Sequence, residues 1–180
     1  MLEKRKITTK DLCVIAMLIA VTAVLGFISG KLRIGTFSKF SFNFISVYFT
    51  AVLFGPIVAG LVGVAGDFVS AIGTGPYLWM IGLIEFIYGY IFGILFYKKS
   101  GKTETHLAFI IKSLAATLII AAVDIFMKSY VLMNVGFAPN PLSAAIMMRL
   151  PMIAVMAAVR FVVLLVLEKS TPRILAAARK

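Results

Sequence analysis

Charged residues are scarce in this chain of 180 residues: they make up 14% of it, whereas 62% of the residues are hydrophobic. An average soluble domain carries about 25% charged residues, and one of this size buries only about 70% of its chain surface. A soluble fold could not hide so much apolar surface, so the composition predicts a polytopic membrane protein. A large soluble catalytic domain and a nucleotide-hydrolysing α/β module are excluded, because the membrane spans leave too little chain for them.

Further absences restrict the chemistry of the chain. A single cysteine, Cys13, excludes an intramolecular disulfide, and the single histidine, His106, lies in a polar segment where a histidine-ligated metal is not expected. Metalloprotease and serine-hydrolase motifs are missing, and Gly101-Lys102-Thr103 lacks both the first glycine and the preceding strand of a phosphate-binding loop. We therefore expect no catalytic residues, no metal and no cofactor.

The charges that are present divide the chain into long apolar runs. A helix needs about 20 residues to cross the hydrocarbon core, and the runs predict six such helices. We expect an all-α membrane protein in which residues 1–180 form a single six-helix transmembrane bundle. The predicted spans are Leu12–Gly30, Thr36–Phe54, Pro56–Gly73, Leu78–Tyr97, Leu107–Met133 and Leu142–Leu167.

The distribution of the basic residues predicts the orientation. The net charge is +11, and most basic residues lie in the N-terminal segment, the Lys98–His106 loop and the C-terminal tail. Six spans place these three segments on one side of the membrane. By the positive-inside rule that side is the cytoplasm, so both termini are expected to be cytoplasmic.

Seven charged residues fall inside the predicted spans, where each costs at least about 2.5–3.5 kcal/mol unless it faces protein or water. Lys112 and Arg160 lie deeper and are expected to pair or snorkel. The other charges share the extracellular half, which indicates a site; the alternative is a set of ion pairs, such as Asp124 with Lys128, that fix helix register. The clustered charges are Asp67, Glu85, Asp124, Lys128 and Arg149.

Polar and aromatic residues share this depth. Lys31, Arg33 and Lys39 form an extracellular basic loop, either a solvated loop or an electrostatic funnel for an anionic solute. Trp79 taken alone is more typical of a membrane-boundary anchor, but with its neighbours it predicts a pocket for an anionic, partly aromatic small molecule. The candidate substrate-binding residues are Lys39, Phe42, Asn43, Asp67, Tyr77, Trp79, Glu85, Asp124, Lys128 and Arg149.

Several short segments carry a family resemblance that extends over nearly the whole chain. They are Ala16-Met17-Leu18-Ile19-Ala20, Lys39-Phe40-Ser41-Phe42-Asn43-Phe44, the run from Leu53-Phe54-Gly55-Pro56 to Ala65-Gly66-Asp67, Gly75-Pro76-Tyr77, Ile87-Tyr88-Gly89 and Met148-Arg149-Leu150-Pro151. With these segments the chain resembles the substrate-binding S component of an energy-coupling factor (ECF) vitamin transporter, most closely the folate family. The Phe-Gly-Pro…Asp block is the most specific of them.

The resemblance implies a non-enzymatic six-helix subunit that captures a vitamin, folate above all, at the outer face of a bacterial or archaeal plasma membrane. It also implies partnership with a membrane T component and two cytosolic ATPase subunits. Because the Ala-x-x-x-Ala segment of such proteins contacts the T component, Ala16 and Ala20 are the predicted docking residues. Energy for uptake would then come from ATP hydrolysis on other chains, in keeping with the missing phosphate-binding loop.

Two alternatives from other functional classes remain open. One is a structural scaffold of the cell-shape type, which binds only proteins. The other is a small proton-coupled carrier that uses Glu85 and Asp124 as proton relays. A ligand bound in stoichiometric amount would separate an S component from both.

Overall fold

The computed structural model describes residues 8–31, 33–34, 38–39, 41–72, 77–97, 105–136 and 141–178, with side chains left aside at 33–34, 38–39 and 169–178. The described chain is helical apart from one short hairpin, in which strands β1 (Arg33–Ile34) and β2 (Ser38–Lys39) pair antiparallel. A π-helical turn, Asp124–Lys128, joins α5 to α6. The helices are α1 (Thr9–Lys31), α2 (Phe44–Phe54), α3 (Pro56–Ile72), α4 (Trp79–Phe96), α5 (His106–Val123), α6 (Ser129–Asn134) and α7 (Leu142–Ala178).

Four helical stretches are long and apolar enough to cross a membrane: Thr9–Lys31, Trp79–Phe96, His106–Asn134 and Leu142–Glu168. Each coincides with a predicted span. The third predicted span also recurs closely as α3, whereas the second was too long, because α2 begins only at Phe44. The reason is local: the hairpin uses part of the preceding segment, where its strands hydrogen-bond to each other instead of entering a helix.

Glycines allow α3 and α4 to approach closely. A Cβ on Gly89 would lie 2.5 Å from the Ala59 carbonyl oxygen, and one on Gly93 would collide with Pro56. A Cβ on Gly63 would lie 3.0 Å from the backbone oxygen of Glu85. Small residues thus let the two helix backbones approach closely, and this contact places the backbone of Glu85 directly against α3.

Helix α1 packs on the other side of α3. A Cβ on Gly66 would meet the Thr22 side chain at 2.4–2.5 Å, and the Thr22 hydroxyl donates to Ser46 Oγ on α2 at 2.9 Å. In the core, Tyr48 is fully buried, and its ring packs in a T-shaped arrangement against both Phe92 and Phe96. Many large apolar side chains on the outside of the bundle are exposed, as expected for a surface that faces lipid.

Candidate functional site

Asp124 is the centre of a buried group of charged side chains between α4, the π-helical turn and α7. Its Oδ1 accepts a hydrogen bond of 2.6 Å from the Tyr88 hydroxyl on α4 and lies 3.8 Å from Lys128 Nζ. Its Oδ2 lies 3.7 Å from Arg160 Nη2 on α7. Both carboxylate oxygens are therefore engaged, and Asp124 connects three segments of the fold.

Lys128 links this centre to α4. Its Nζ donates to Glu85 Oε1 at 3.3 Å and lies 5.5 Å from the centroid of the Tyr88 ring. The predicted ion pair between Asp124 and Lys128 is thus confirmed, but Glu85 is the closer partner of the lysine. Loss of one partner from a buried ion pair is strongly destabilising, because it leaves the other charge buried without compensation.

Arg149 joins this group of side chains through hydrogen bonds to two uncharged oxygen atoms. Its Nη1 donates to Ser129 Oγ at 2.6 Å and to the backbone carbonyl of Asp124 at 3.3 Å. The Ser129 hydroxyl also donates to that carbonyl, at 3.4 Å, which ties Arg149 to the π-helical turn. The Arg149 side chain is buried, and its Nε has no hydrogen-bond partner within the described part of the chain.

These contacts define what we call the buried charge network. It holds three cations and two carboxylates. Within the described residues, these contacts thus include one more cation than carboxylates, at a depth where an unpaired charge is expensive. The members of the network are Glu85, Tyr88, Asp124, Lys128, Ser129, Arg149 and Arg160.

A second polar group lies where α1, α2 and α3 meet. Asn43 is 3% exposed, and its Oδ1 has no hydrogen-bond partner among the described residues. A Cβ on Gly26 would lie 3.3 Å from Asn43 Nδ2 and 2.8 Å from Ser70 Oγ, so the amide and the hydroxyl flank the same point of α1. Ser70 Oγ donates to the backbone carbonyl of Asp67, whose side chain is also buried.

Tyr77 lies between the two groups. Its ring packs edge-on against Phe68 at a centroid distance of 5.1 Å, and its hydroxyl contacts Gly82 of α4. Partial burial, and then the charges of Asp67 and Glu85, raise the pKa of the Tyr77 hydroxyl above 10.0. The tyrosine is therefore within electrostatic reach of one carboxylate from each group.

Of the predicted site residues, the structure brings Glu85, Asp124, Lys128 and Arg149 into one network, while Asn43, Asp67 and Tyr77 lie in or beside the second group. Phe42 is half-buried, and its backbone N–H donates to Ser29 Oγ at 3.2 Å. The structure does not bring Trp79 into either group, because its side chain is 63% exposed at the start of α4. Lys39 forms part of β2, but its side chain lies outside the described residues.

Ala16 and Ala20 lie on an exposed face of α1, beside the exposed side chains of Met17 and Val24. The buried face of the same helix contains Thr22 and other small residues that contact α2 and α3. The predicted docking residues are therefore accessible from outside the bundle.

Sequence reasoning did not place Tyr88, Ser129 and Arg160 among the candidate site residues, although it expected Arg160 to pair or snorkel, and Arg160 does pair with Asp124. Tyr88 follows Glu85 by three residues, which places both on one helix face. Arg160 follows Arg149 by eleven residues, or about three turns, and its side chain leans toward the start of α7 as helical side chains do. A search for polar residues at helical spacing from the predicted ones would have found Tyr88 and Arg160.

The arrangement is suited to binding. Within the described ranges, no group of three or more histidine, cysteine, aspartate or glutamate side chains could hold a metal ion. What the two groups offer is a set of fixed donors and cations in a low-dielectric interior, together with aromatic rings. Such a site orients and neutralises a polar solute.

Three comparisons with known proteins address the identity of the chain. A family model described as the S component of the ECF-type riboflavin transporter matches residues 6–172. The crystal structure of FolT bound with folic acid is similar, with a TM-score of 0.75 at 25% sequence identity over 91% of this chain and 95% of that one. No curated protein sequence matches. Because the family model covers nearly the whole chain, the protein belongs to the family of S components of ECF-type riboflavin transporters, whose members are transporter subunits and not enzymes.

Proposed function

We propose that this protein captures an anionic vitamin, folate first of all, from outside the cell and presents it for ATP-driven uptake. The observation that carries the proposal is the charge balance of the buried network, in which Lys128 and Arg160 pair with the two carboxylates and Arg149, among the described residues, hydrogen-bonds only to a hydroxyl and a backbone carbonyl. A bound carboxylate would balance the surplus cation. The folate tail carries carboxylates, and the similar fold of FolT with folic acid bound supports this choice.

Arg149 is the cation best placed to receive the ligand carboxylate. Its hydrogen bonds go to a hydroxyl and a backbone carbonyl, so they leave its charge for the ligand. Lys128 is engaged by Glu85 and Asp124 and would act mainly by holding these carboxylates in place.

The second polar group would receive the ring of the vitamin. Asn43 would offer its amide oxygen, which has no partner among the described residues, to a ring N–H. Phe42 and Tyr77 supply aromatic faces for stacking, and Lys39 would attract the anion at the entrance. Trp79 would contribute as an anchor at the membrane boundary, in accordance with its exposure.

Riboflavin is the second candidate ligand, and the description of the matching family model favours it. Its fused ring would fit the same aromatic and amide groups. It has no carboxylate, however, so it would leave the charge of Arg149 without a ligand partner. Folate would therefore form an ion pair with Arg149, whereas riboflavin would not.

The partners we propose are a membrane T component and two cytosolic ATPase subunits. The exposed Ala16 and Ala20 on α1 would let the T component approach closely, as small residues do between helices in lipid. We further propose that residues 1–180 form one domain with six spans, in which α2 and α3 serve as short spans, and that both termini are cytoplasmic in the plasma membrane of a bacterium or archaeon.

The test is to purify the full chain in detergent, both alone and with its native partners. Native mass spectrometry should detect one bound vitamin, and calorimetry with folate and riboflavin should show tight binding of folate. An ATPase complex should co-purify from membranes. A protein that binds neither vitamin and recovers only structural proteins would be a scaffold, and one that transports in proteoliposomes without other subunits would be a carrier; either result would overturn the proposal.

A further inference from the structure

Arg160 is a buried cation with an unpartnered donor. Its side chain is only 5% exposed, and its Nε has no hydrogen-bond partner in the described portion of the chain. The nearest described carboxylate oxygen, Asp124 Oδ2, is 3.7 Å from Nη2, which is an ion-pair distance but too long for a hydrogen bond. A guanidinium carries five N–H donors, and burying them without acceptors is costly.

The guanidinium of Arg160 lies over an aromatic ring. Arg160 Cζ lies 5.6 Å from the centroid of Phe44, the first residue of α2. Phe44 is itself buried in the core, and cations over an aromatic face are attracted to it. Asn43, the residue that precedes Phe44, also has a buried amide oxygen without a hydrogen-bond partner among the described residues.

Arg149 and Arg160 differ in what they lack. The hydrogen bonds of Arg149 go only to uncharged oxygens, and no ion pair joins it to a carboxylate within the described residues. Arg160 has the counter-charge of Asp124, but its Nε lacks an acceptor among the described residues. A ligand that satisfies both residues would bring a carboxylate to Arg149 and a neutral acceptor to Arg160.

We propose that Arg160 is a ligand-contacting residue that selects the ring of the vitamin: held over Phe44, its guanidinium donates to the carbonyl oxygen of a fused pyrimidinone ring. The inference rests on the proposed function. The ligands that carry such a ring carbonyl include both pteridines and flavins. The inference assigns to Arg160 a role that depends on hydrogen bonding, in addition to its ion pair with Asp124.

The consequence is discrimination between closely related rings. A site that holds a buried donor rejects an analogue without the matching acceptor much more strongly than an apolar pocket would, because the donor is then left unpaired. Replacing the ring carbonyl by an amino group puts a donor against a donor. We expect at least about a tenfold loss of affinity for such an analogue.

The experiment measures Kd for matched ligand pairs with the full detergent-purified chain. Folate is paired with its 4-amino analogue aminopterin, and riboflavin is paired with 4-thioriboflavin, in which sulfur, a weaker acceptor, replaces the ring carbonyl oxygen. The parent protein should prefer the carbonyl member of the pair it binds. In Arg160→Lys, which keeps the charge beside Asp124 but loses the fixed fork, that preference should fall at least fivefold.

Two further variants make the outcome decisive. Phe44→Leu removes the ring over which the guanidinium lies and should lower the preference while leaving every charge in place, so it decides the matter if Arg160→Lys does not fold. Lys112→Met, at a cation outside the network, should keep the parent preference. Folding of each variant is checked by size-exclusion chromatography and thermal unfolding.

The possible results separate this inference from the proposed function. A parent protein that binds a vitamin but not the carbonyl member preferentially, or folded Arg160→Lys and Phe44→Leu variants that keep the full preference, would overturn the role of Arg160 and leave the vitamin-binding function standing. A parent protein that binds neither vitamin would overturn both.

Discussion

Substitution of Arg149 by alanine tests the central claim about the site. The side chain is 6% exposed, and its two hydrogen bonds, to Ser129 Oγ and to the Asp124 carbonyl, hold Nη1 at the π-helical turn. If the ligand carboxylate contacts this guanidinium, the variant loses a charge-assisted hydrogen bond, which contributes about 1.5–3 kcal/mol. That energy corresponds to a Kd raised roughly 10- to 150-fold.

The assay is isothermal titration calorimetry of folate binding to the purified full chain in detergent. Arg149→Lys keeps a positive charge but loses the planar fork, so its Kd should lie between those of the parent and the alanine variant. Lys112→Ala removes a different intramembrane cation and should bind as the parent does. Thermal unfolding of each variant shows whether the bundle is intact.

A folded Arg149→Ala protein that binds folate with the affinity of the parent would rule out a contact between Arg149 and the ligand carboxylate. An equal loss of affinity for riboflavin and folate would also contradict this contact, since riboflavin has no carboxylate to lose a partner. A selective loss for folate is the expected pattern.

Three further predictions concern packing, docking and titration. Gly89→Val should lower the free energy of unfolding by about 1–3 kcal/mol or more, because a Cβ there would lie 2.5 Å from the α3 backbone; Ala158→Val on the exposed face of α7 should change it by no more than about 0.5 kcal/mol. Ala16→Trp should abolish co-purification of the T component without affecting vitamin binding, whereas Leu118→Trp, on an exposed part of α5, should leave it intact. The Tyr77 hydroxyl should titrate above 10.0 in an ultraviolet absorbance titration, because burial and nearby acidic charges raise its pKa in the folded protein. The stabilisation that accompanies this shift is present below pH 10.0 and is lost as the pH rises through the raised pKa, and Tyr77→Phe should remove that dependence.

Much of the fold followed from local sequence. A transmembrane helix is defined by its own apolar length, so four spans could be recognised without any tertiary information, and the Gly55-Pro56 break between α2 and α3 is likewise local. The start of α2 was missed because it depends on β1 and β2 pairing with each other. Apolar composition does not indicate such pairing.

The grouping of the charges was predicted only in part, since Asp67 is not among the contacts of the network. Depth within a span can be read from the position of a residue along the chain, and it correctly grouped Glu85, Asp124, Lys128 and Arg149. It could not indicate that Lys128 lies closer to Glu85 than to Asp124. Nor could it indicate that Arg160, about three turns after Arg149 on α7, reaches the carboxylate of Asp124. Those facts depend on which helix faces which.

Composition and charge order alone determined that this chain lies in a membrane, where its helices run, and that it holds ionised groups at an expensive depth, because the transfer of a segment into lipid depends on the segment's own residues. Tertiary packing alone decided the partner of each charge: α3 and α4 meet through glycines that no side chain separates, and α7 brings two arginines to Asp124. Pairing across helices requires atoms within a few ångströms of each other, and residues far apart in sequence reach that distance only through the packing of the whole bundle.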